Sequence, residues 1–199
     1  RAKIAIENMI DKLQGDRLGI VVFAGEAYVQ LPITTDYSSA KLFLEGISNK
    51  IVPVQGTNIA DAINLSVESF GKDEGKNKAI VIITDGENNE EANESAVDAA
   101  VLYALSKDVL LVHAAGNDSK NTDVENNFPN DKIANYNASN WIEVGASNWT
   151  TKKKIAAPFS NYAVSNVDVF APGVDIYSCI PESKYASYDG TSMAAPVTA

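Results

Sequence analysis

The sequence predicts an α/β fold with three layers around a mostly parallel, doubly wound sheet. Lys78 to Asn117 holds an apolar run (Ala79 to Ile83), a turn at Thr84-Asp85-Gly86, a helical pattern, and a second apolar run (Val109 to Ala115) closed by Gly116-Asn117. Strand, crossover helix and strand is the unit that builds parallel sheets. Both runs end in a small polar motif at the carboxyl edge, where open α/β sheets place ligands. The 199 residues are 45% apolar and 21% charged, ordinary usage for a chain able to bury a core.

Ala2, Ala5, Ile6, Met9, Ile10 and Leu13 recur at helical spacing, which predicts a helix over the first fourteen residues with Gly15 as C-cap. Leu18 to Ala24 is almost wholly apolar, as a strand buried on both faces should be. After a turn at Gly25-Glu26, Ala27 to Leu31 alternates as a short partner strand that Pro32 stops. Ser38 or Ser39 can cap a helix running to about Ile47. Thr57 or Asn58 can cap the next, whose apolar face is Ile59, Ile63, Val67 and Phe70. Asp118 to Tyr136 is rich in Asn and Asp without a period and reads as loop. Trp141 to Ala146, Val167 to Phe170 and Ile176 to Ile180 read as strands, and Gly190 turns the chain into a helix opening at Thr191-Ser192. A first residue Arg1 and an uncapped apolar helix at Ala199 lead us to expect a trimmed or excerpted sequence.

A formal net charge of −10 excludes nucleic-acid binding by bulk electrostatics. Lys152-Lys153-Lys154, the one basic cluster, reads as a solvated turn. Cys179 is the only cysteine, which rules out an internal disulfide or a thiolate zinc cluster and suggests a small buried hydrophobe. No apolar run approaches the ~18 residues of a membrane span, and the first residues carry no signal-peptide pattern.

Gly15 to Tyr37 (GDRLGIVVFAGEAYVQLPITTDY), Val54 to Ile63 (VQGTNIADAI) and Ala79 to Asn88 (AIVIITDGEN) carry a resemblance of residues 1–91 to von Willebrand factor type A domains, especially the bacterial Bat-type members. In that family a divalent cation, usually Mg²⁺, sits at the carboxyl edge of the sheet. The resemblance implies two of its ligands, Thr57 and Asp85. The family's Asp-x-Ser-x-Ser motif is missing, and with it three ligand oxygens, so the implied Mg²⁺ site is weak and incomplete. The strand bearing that motif is missing too, so Leu18–Ala24 and Ala79–Ile83 must pair directly or leave a gap. On the residues alone, Thr57 is equally a helix cap and Asp85 a turn residue.

Val109 to Asp118 (VLLVHAAGND), Trp141 to Ser147 (WIEVGAS), Phe159 to Tyr162 (FSNY), Val167 to Ser178 (VDVFAPGVDIYS) and Tyr188 to Val197 (YDGTSMAAPV) carry a second resemblance, of residues 92–199 to the second half of subtilisin-like serine proteases. It implies that Ser192 is the nucleophile and Asn117 the side-chain donor of the oxyanion hole, with the Ser192 N–H as companion. It also implies that Ala114, Ala115 and Gly116 form one wall of the primary specificity pocket. The family's opposite wall is replaced by Thr84-Asp85-Gly86-Glu87. A serine needs a base, and the base an orienting carboxylate. The family's Asp and His motifs are absent and the chain has one histidine. Asp85, His113 and Ser192 follow the family's order, so a substitute triad is one reading. The other is that His113, inside a strand, is a satisfied core residue.

The combined expectation is a serine endopeptidase half joined to a von Willebrand-type metal-site segment. It would be catalytically incomplete as this chain, directed at polypeptide, and in no need of a cofactor for the serine chemistry. The alternatives are a Mg²⁺-dependent protein-binding module and an inactive hybrid with neither function. The two resemblances meet within the helix at about Ala92 to Ser106, dividing the chain into 1–91 and 92–199 and allowing a hybrid sheet across the join. Both families point to an extracytoplasmic bacterial origin.

Overall fold

The structure, a computed structural model, describes residues 2–48, 54, 56–71, 77–83, 94–125, 127–133, 136–149, 155–180 and 184–199. In chain order its elements are α1 (Ala2–Lys12), β1 (Leu18–Phe23), β2 (Ala27–Thr34), α2 (Tyr37–Gly46), α3 (Ile59–Ser69), β3 (Lys78–Ile82), α4 (Glu94–Ser106) and β4 (Val109–Ala114). There follow β5 (Lys132–Ile133), β6 (Tyr136–Asn137), β7 (Trp141–Ser147), β8 (Val169–Pro172), β9 (Ile176–Ile180), β10 (Lys184–Tyr188) and α5 (Thr191–Thr198).

The apolar runs at β3, β4 and β7 join β8 in a parallel sheet of order β3-β4-β7-β8, with β4 and β7 at its centre. Side chains alternate between the faces of a strand, and the packing follows that alternation. Val109 and Leu111 of β4 and Trp141 of β7 pack with α3 and α4 on one face. Val112 and Ala114 of β4, with Val144 and Ala146 of β7, pack against Ala194 and Ala195 of α5 on the other. Helix α1 lies behind α5 and against β9. The result is a three-layer α/β fold.

The join expected between residues 91 and 92 lies outside the described residues, but the elements on either side share one sheet and one core. β3 pairs in parallel with β4 through Ile82 opposite His113. Ile59, Ile63 and Val67 of α3 share a cluster with Val97, Val101 and Leu111. The strand matching Leu18–Ala24 does not pair with β3. β1 and β2 form a separate antiparallel pair over a third cluster that includes Ile10, Leu18, Ile20, Leu31 and Leu44.

Several local expectations change. β1 is not buried on both faces. Leu18 and Ile20 are buried, but Gly19 is exposed and Val21–Phe23 are half-buried, because β2 is its only ladder partner among the described residues. Pro32 does not stop β2, which runs on to Thr34. Ile20 faces Leu31 and Leu18 faces Thr34, so Pro32 and Ile33 share a bulge on an edge strand, where a missing N–H costs no ladder bond. Asp36, not Ser38 or Ser39, caps α2, its Oδ1 accepting the Ser39 N–H at 3.0 Å. Of the two caps expected for α3, Asn58 is the one used, accepting from the Asp61 N–H at 3.1 Å. α1 ends at Lys12, three residues before Gly15, and β10 joins β9 in a hairpin that the sequence reading did not include. No described helix is long and apolar enough to cross a membrane. Lys152–Lys154 and the Cys179 side chain lie outside what the structure describes.

Candidate active site

β4 carries Ala114 to the carboxyl edge of the sheet, and one further bond, Ala115 N–H to Val144 O at 3.0 Å, extends the ladder. Gly116 then turns with φ at +96°, a conformation that favours glycine. A Cβ there would stand 2.6 Å from Asn161 Nδ2. Asn117 follows on the exposed side of this turn.

Ser192 reaches the same edge from another direction. Gly190 donates its N–H to Gly173 O at 2.8 Å, holding the chain against the end of β8. The approach is close, since a Cβ on Gly173 would lie 2.6 Å from the Ala146 Cβ. α5 starts at Thr191, and buried Ala194 and Ala195 seat it on β4 and β7. Ser192 therefore occupies the first turn, half-buried, where N–H groups lack partners within the helix and the dipole end is positive. Such an end suits a developing oxyanion.

Thr191 ties the two approaches together. Its N–H donates to Asn117 Oδ1 at 2.9 Å and its hydroxyl donates to the same atom at 3.2 Å. That hydroxyl also accepts the Gly116 N–H at 3.2 Å. With Oδ1 so engaged, the amide end of Asn117 that can donate is Nδ2. Asn161 clamps the loop from its other side. Its Nδ2 donates to Ala115 O at 2.7 Å, its Oδ1 accepts from the Asp118 and Lys120 N–H groups at 3.1 and 2.9 Å, and its own N–H reaches Gly116 O at 2.9 Å.

Ser192, Asn117, Gly116, Ala115 and Ala114 thus meet at one sheet edge. Ala114 and Ala115 are buried, so this stretch presents chiefly backbone at the edge. Thr57 is not with them. It sits half-buried beside the cap Asn58, whose N–H bonds Ala24 O at 2.6 Å at the end of β1, in the other sheet. Asp85 and the segment Thr84–Glu87 lie outside the described residues. No group of three or more His, Cys, Asp or Glu able to hold a metal ion occurs among the described residues. Thr57 supplies one neutral oxygen where a hard divalent cation takes six or more. The described residues therefore do not build a cation site.

The substitute triad fails on geometry. His113 stands two residues after Leu111 and so shares the α3/α4 face, opposite the face that seats α5 and Ser192. Its ring is buried, with Nδ1 3.0 Å from each carboxylate oxygen of Glu143, and it packs against Trp141 at 5.1 Å between ring centroids. Around this pair, burial chiefly holds the Asp131 carboxyl above the usual range, with the charges of Asp168 and Glu143 adding to the effect.

Thr191 and Asn161 are positioning residues to which the sequence reading gave no role. Both lie within recognised segments, but the signal there attaches to neighbouring residues, and no spacing rule links position 117 to 161 or 191. Glu143 likewise lies within a recognised segment, Trp141 to Ser147, without a role of its own, and Asn127 lies in none.

A profile of the subtilase family matches residues 28–199. The chain is 41% identical over 106 residues to a thermophilic serine proteinase of Bacillus sp. (strain AK1), a stretch covering 53% of this chain and 23% of that protein. It is 43% identical over 102 residues to thermitase of Thermoactinomyces vulgaris, covering 51% of this chain and 32% of that one. The chain therefore spans about a quarter to a third of the length of these relatives. Among solved structures, the conserved hypothetical protein BatB from Bacteroides thetaiotaomicron superposes with a TM-score of 0.51 at 30% identity, over 85% of this chain and 76% of that one. The profile match, covering most of the chain and including the Ser192 and Asn117 segments, establishes that the chain belongs to the subtilase family.

Proposed function

We propose that this chain carries the nucleophile and oxyanion elements of a subtilisin-like serine endopeptidase, and that no imidazole within its 199 residues serves the nucleophile. Ser192 is the nucleophile. Asn117 Nδ2 and the Ser192 N–H stabilise the oxyanion, and residues 114–116 line one side of the cleft for a polypeptide substrate. The observation that carries the reading is the Thr191 clamp, which turns the oxygen of Asn117 away and leaves Nδ2 to donate. The base is the missing part, since the only histidine is held by Glu143 on the opposite face of the sheet. The same family reading supports an extracytoplasmic compartment.

Fluorophosphonate labelling tests it. Ser192 should label slowly, label faster when free imidazole is supplied as a base, and not label in Ser192→Ala. His113→Ala should still label when imidazole is supplied. Labelling that disappears in His113→Ala would restore the substitute triad. Labelling elsewhere, or none with imidazole, would remove Ser192 as nucleophile.

The likeness to BatB favours a second reading, in which residues 1–91 retain a von Willebrand-type segment that binds a protein ligand and weakly holds Mg²⁺ through Thr57 and Asp85. On that reading Mg²⁺ raises the melting temperature and Asp85→Ala abolishes the rise. A melting curve indifferent to Mg²⁺ counts against it.

A further inference from the structure

We propose that the buried His113–Glu143 pair is a brace that positions the loop at residues 115–117, acting through Asn127. The inference deepens the reading of Ser192 and Asn117 above and rests on it for its functional meaning.

An ionisable pair inside a sheet is costly to bury, and replacing such a pair with well-packed apolar side chains is often neutral or stabilising. Stability alone is therefore a poor reason for its presence here. The register sets His113 of β4 opposite Glu143 of β7. The Glu143 carboxylate is held by His113 Nδ1 at 3.0 Å, by the Trp141 Nε1–H at 2.8 Å and by Asn127 Nδ2–H at 3.2 Å. Asn127 Nδ2 also donates to Ala115 O at 3.3 Å. A continuous chain of contacts thus runs from the ring of His113 through the carboxylate and the amide to the Ala115 carbonyl.

That carbonyl is where the loop needs holding. β4 has ended at Ala114, and among the described residues the sheet contributes no further ladder bond beyond the Ala115 N–H. The Ala115–Gly116 peptide is fixed by side chains instead, with Asn127 and Asn161 on its oxygen and the Thr191 hydroxyl on its N–H. Its orientation sets where Asn117 begins. His113, Glu143 and Asn127 are positioning residues, since each acts through the backbone of the loop.

Two variants test this. Asn127→Ala cuts the link and leaves the pair intact. The double variant His113→Val with Glu143→Leu replaces the pair with apolar side chains. Amide hydrogen exchange at Gly116 and Asn117 is read against Val112 and Val144 in the core, alongside imidazole-assisted labelling of Ser192. In both variants the core amides should keep their protection. Exchange at Gly116 should rise about tenfold, the equivalent of one lost hydrogen bond, and labelling should fall in parallel. Unchanged exchange at Gly116 in folded Asn127→Ala overturns the brace, whatever the labelling shows. Faster exchange in a protein whose wild type does not label at all would uphold the brace and sink Ser192 as nucleophile.

Discussion

Asn117 Oδ1 accepts both the N–H and the hydroxyl of Thr191, at 2.9 and 3.2 Å, so the residue before Ser192 dictates how the Asn117 amide is turned. Thr191 is itself almost wholly buried, and its hydroxyl serves Gly116 as well. Thr191→Val keeps the shape and removes the hydroxyl. We expect imidazole-assisted labelling of Ser192 to fall about tenfold, the worth of one such bond, and stability to drop by about 1–2 kcal/mol. A labelling time course and a thermal melt read both effects, and an unaltered labelling rate would mean that the clamp does not orient Asn117.

Asn117→Leu removes the proposed oxyanion donor and, with it, the acceptor of the Thr191 N–H and hydroxyl. For Asn117→Leu the labelling rate should fall by roughly 10²–10³, the cost known for losing such a donor in a subtilisin. The melting temperature should fall about as far as in Thr191→Val. A labelling rate that falls no further than in Thr191→Val would show that Asn117 only positions the loop.

Gly116 is held at φ +96° with Asn161 Nδ2 2.6 Å from where a Cβ would stand. Gly116→Ala combines backbone strain, of order 1–3 kcal/mol for such a conformation, with displacement of the Asn161 clamp. A chain of this size should lose about 2–4 °C in melting temperature per kcal/mol. A variant that melts with wild type would show that the loop relaxes freely.

Asp123 predicts a pH dependence. Its carboxylate accepts the N–H groups of Val164, Ser165 and Asn166 at 2.7, 3.2 and 3.1 Å, which holds its pKa below the ordinary value of 3.8. Because the folded value lies below the unfolded one, the contribution is complete above pH 3.8 and is lost as pH falls through the folded value. Asp123→Asn should therefore be less stable than wild type at neutral pH, with the gap narrowing only below about pH 3.8. Urea melts at pH 7, 5 and 3 check this. A gap that already closes between pH 7 and 5 would assign the dependence to another group.

Most of the sheet was legible because its signals are local. The runs at β3, β4 and β7 are apolar enough to be read as strands, and α3 shows its face in Ile59, Ile63 and Val67. β10 was missed because Lys-Tyr-Ala-Ser-Tyr offers no apolar run, and its side chains are mostly exposed along the hairpin. The cap of α2 falls two or three residues earlier than expected because Asp36, Ser38 and Ser39 all have the right chemistry, and the backbone geometry chose Asp36.

The sequence alone determined the β-α-β unit, the segments holding Asn117 and Ser192, and the absence of any second histidine, since each is written in neighbouring residues. The tertiary structure decided the face on which His113 points, the edge position that lets β2 pass through Pro32, and the separation of β1 from β3. It also supplied the clamps that join Gly116 and Asn117 to Thr191 and Ala115 to Asn161. These depend on groups 46 to 75 positions apart being brought within hydrogen-bond reach. No periodicity encodes such a distance; it appears only when the faces of the sheet are filled and the loops at its edge must satisfy their remaining polar groups.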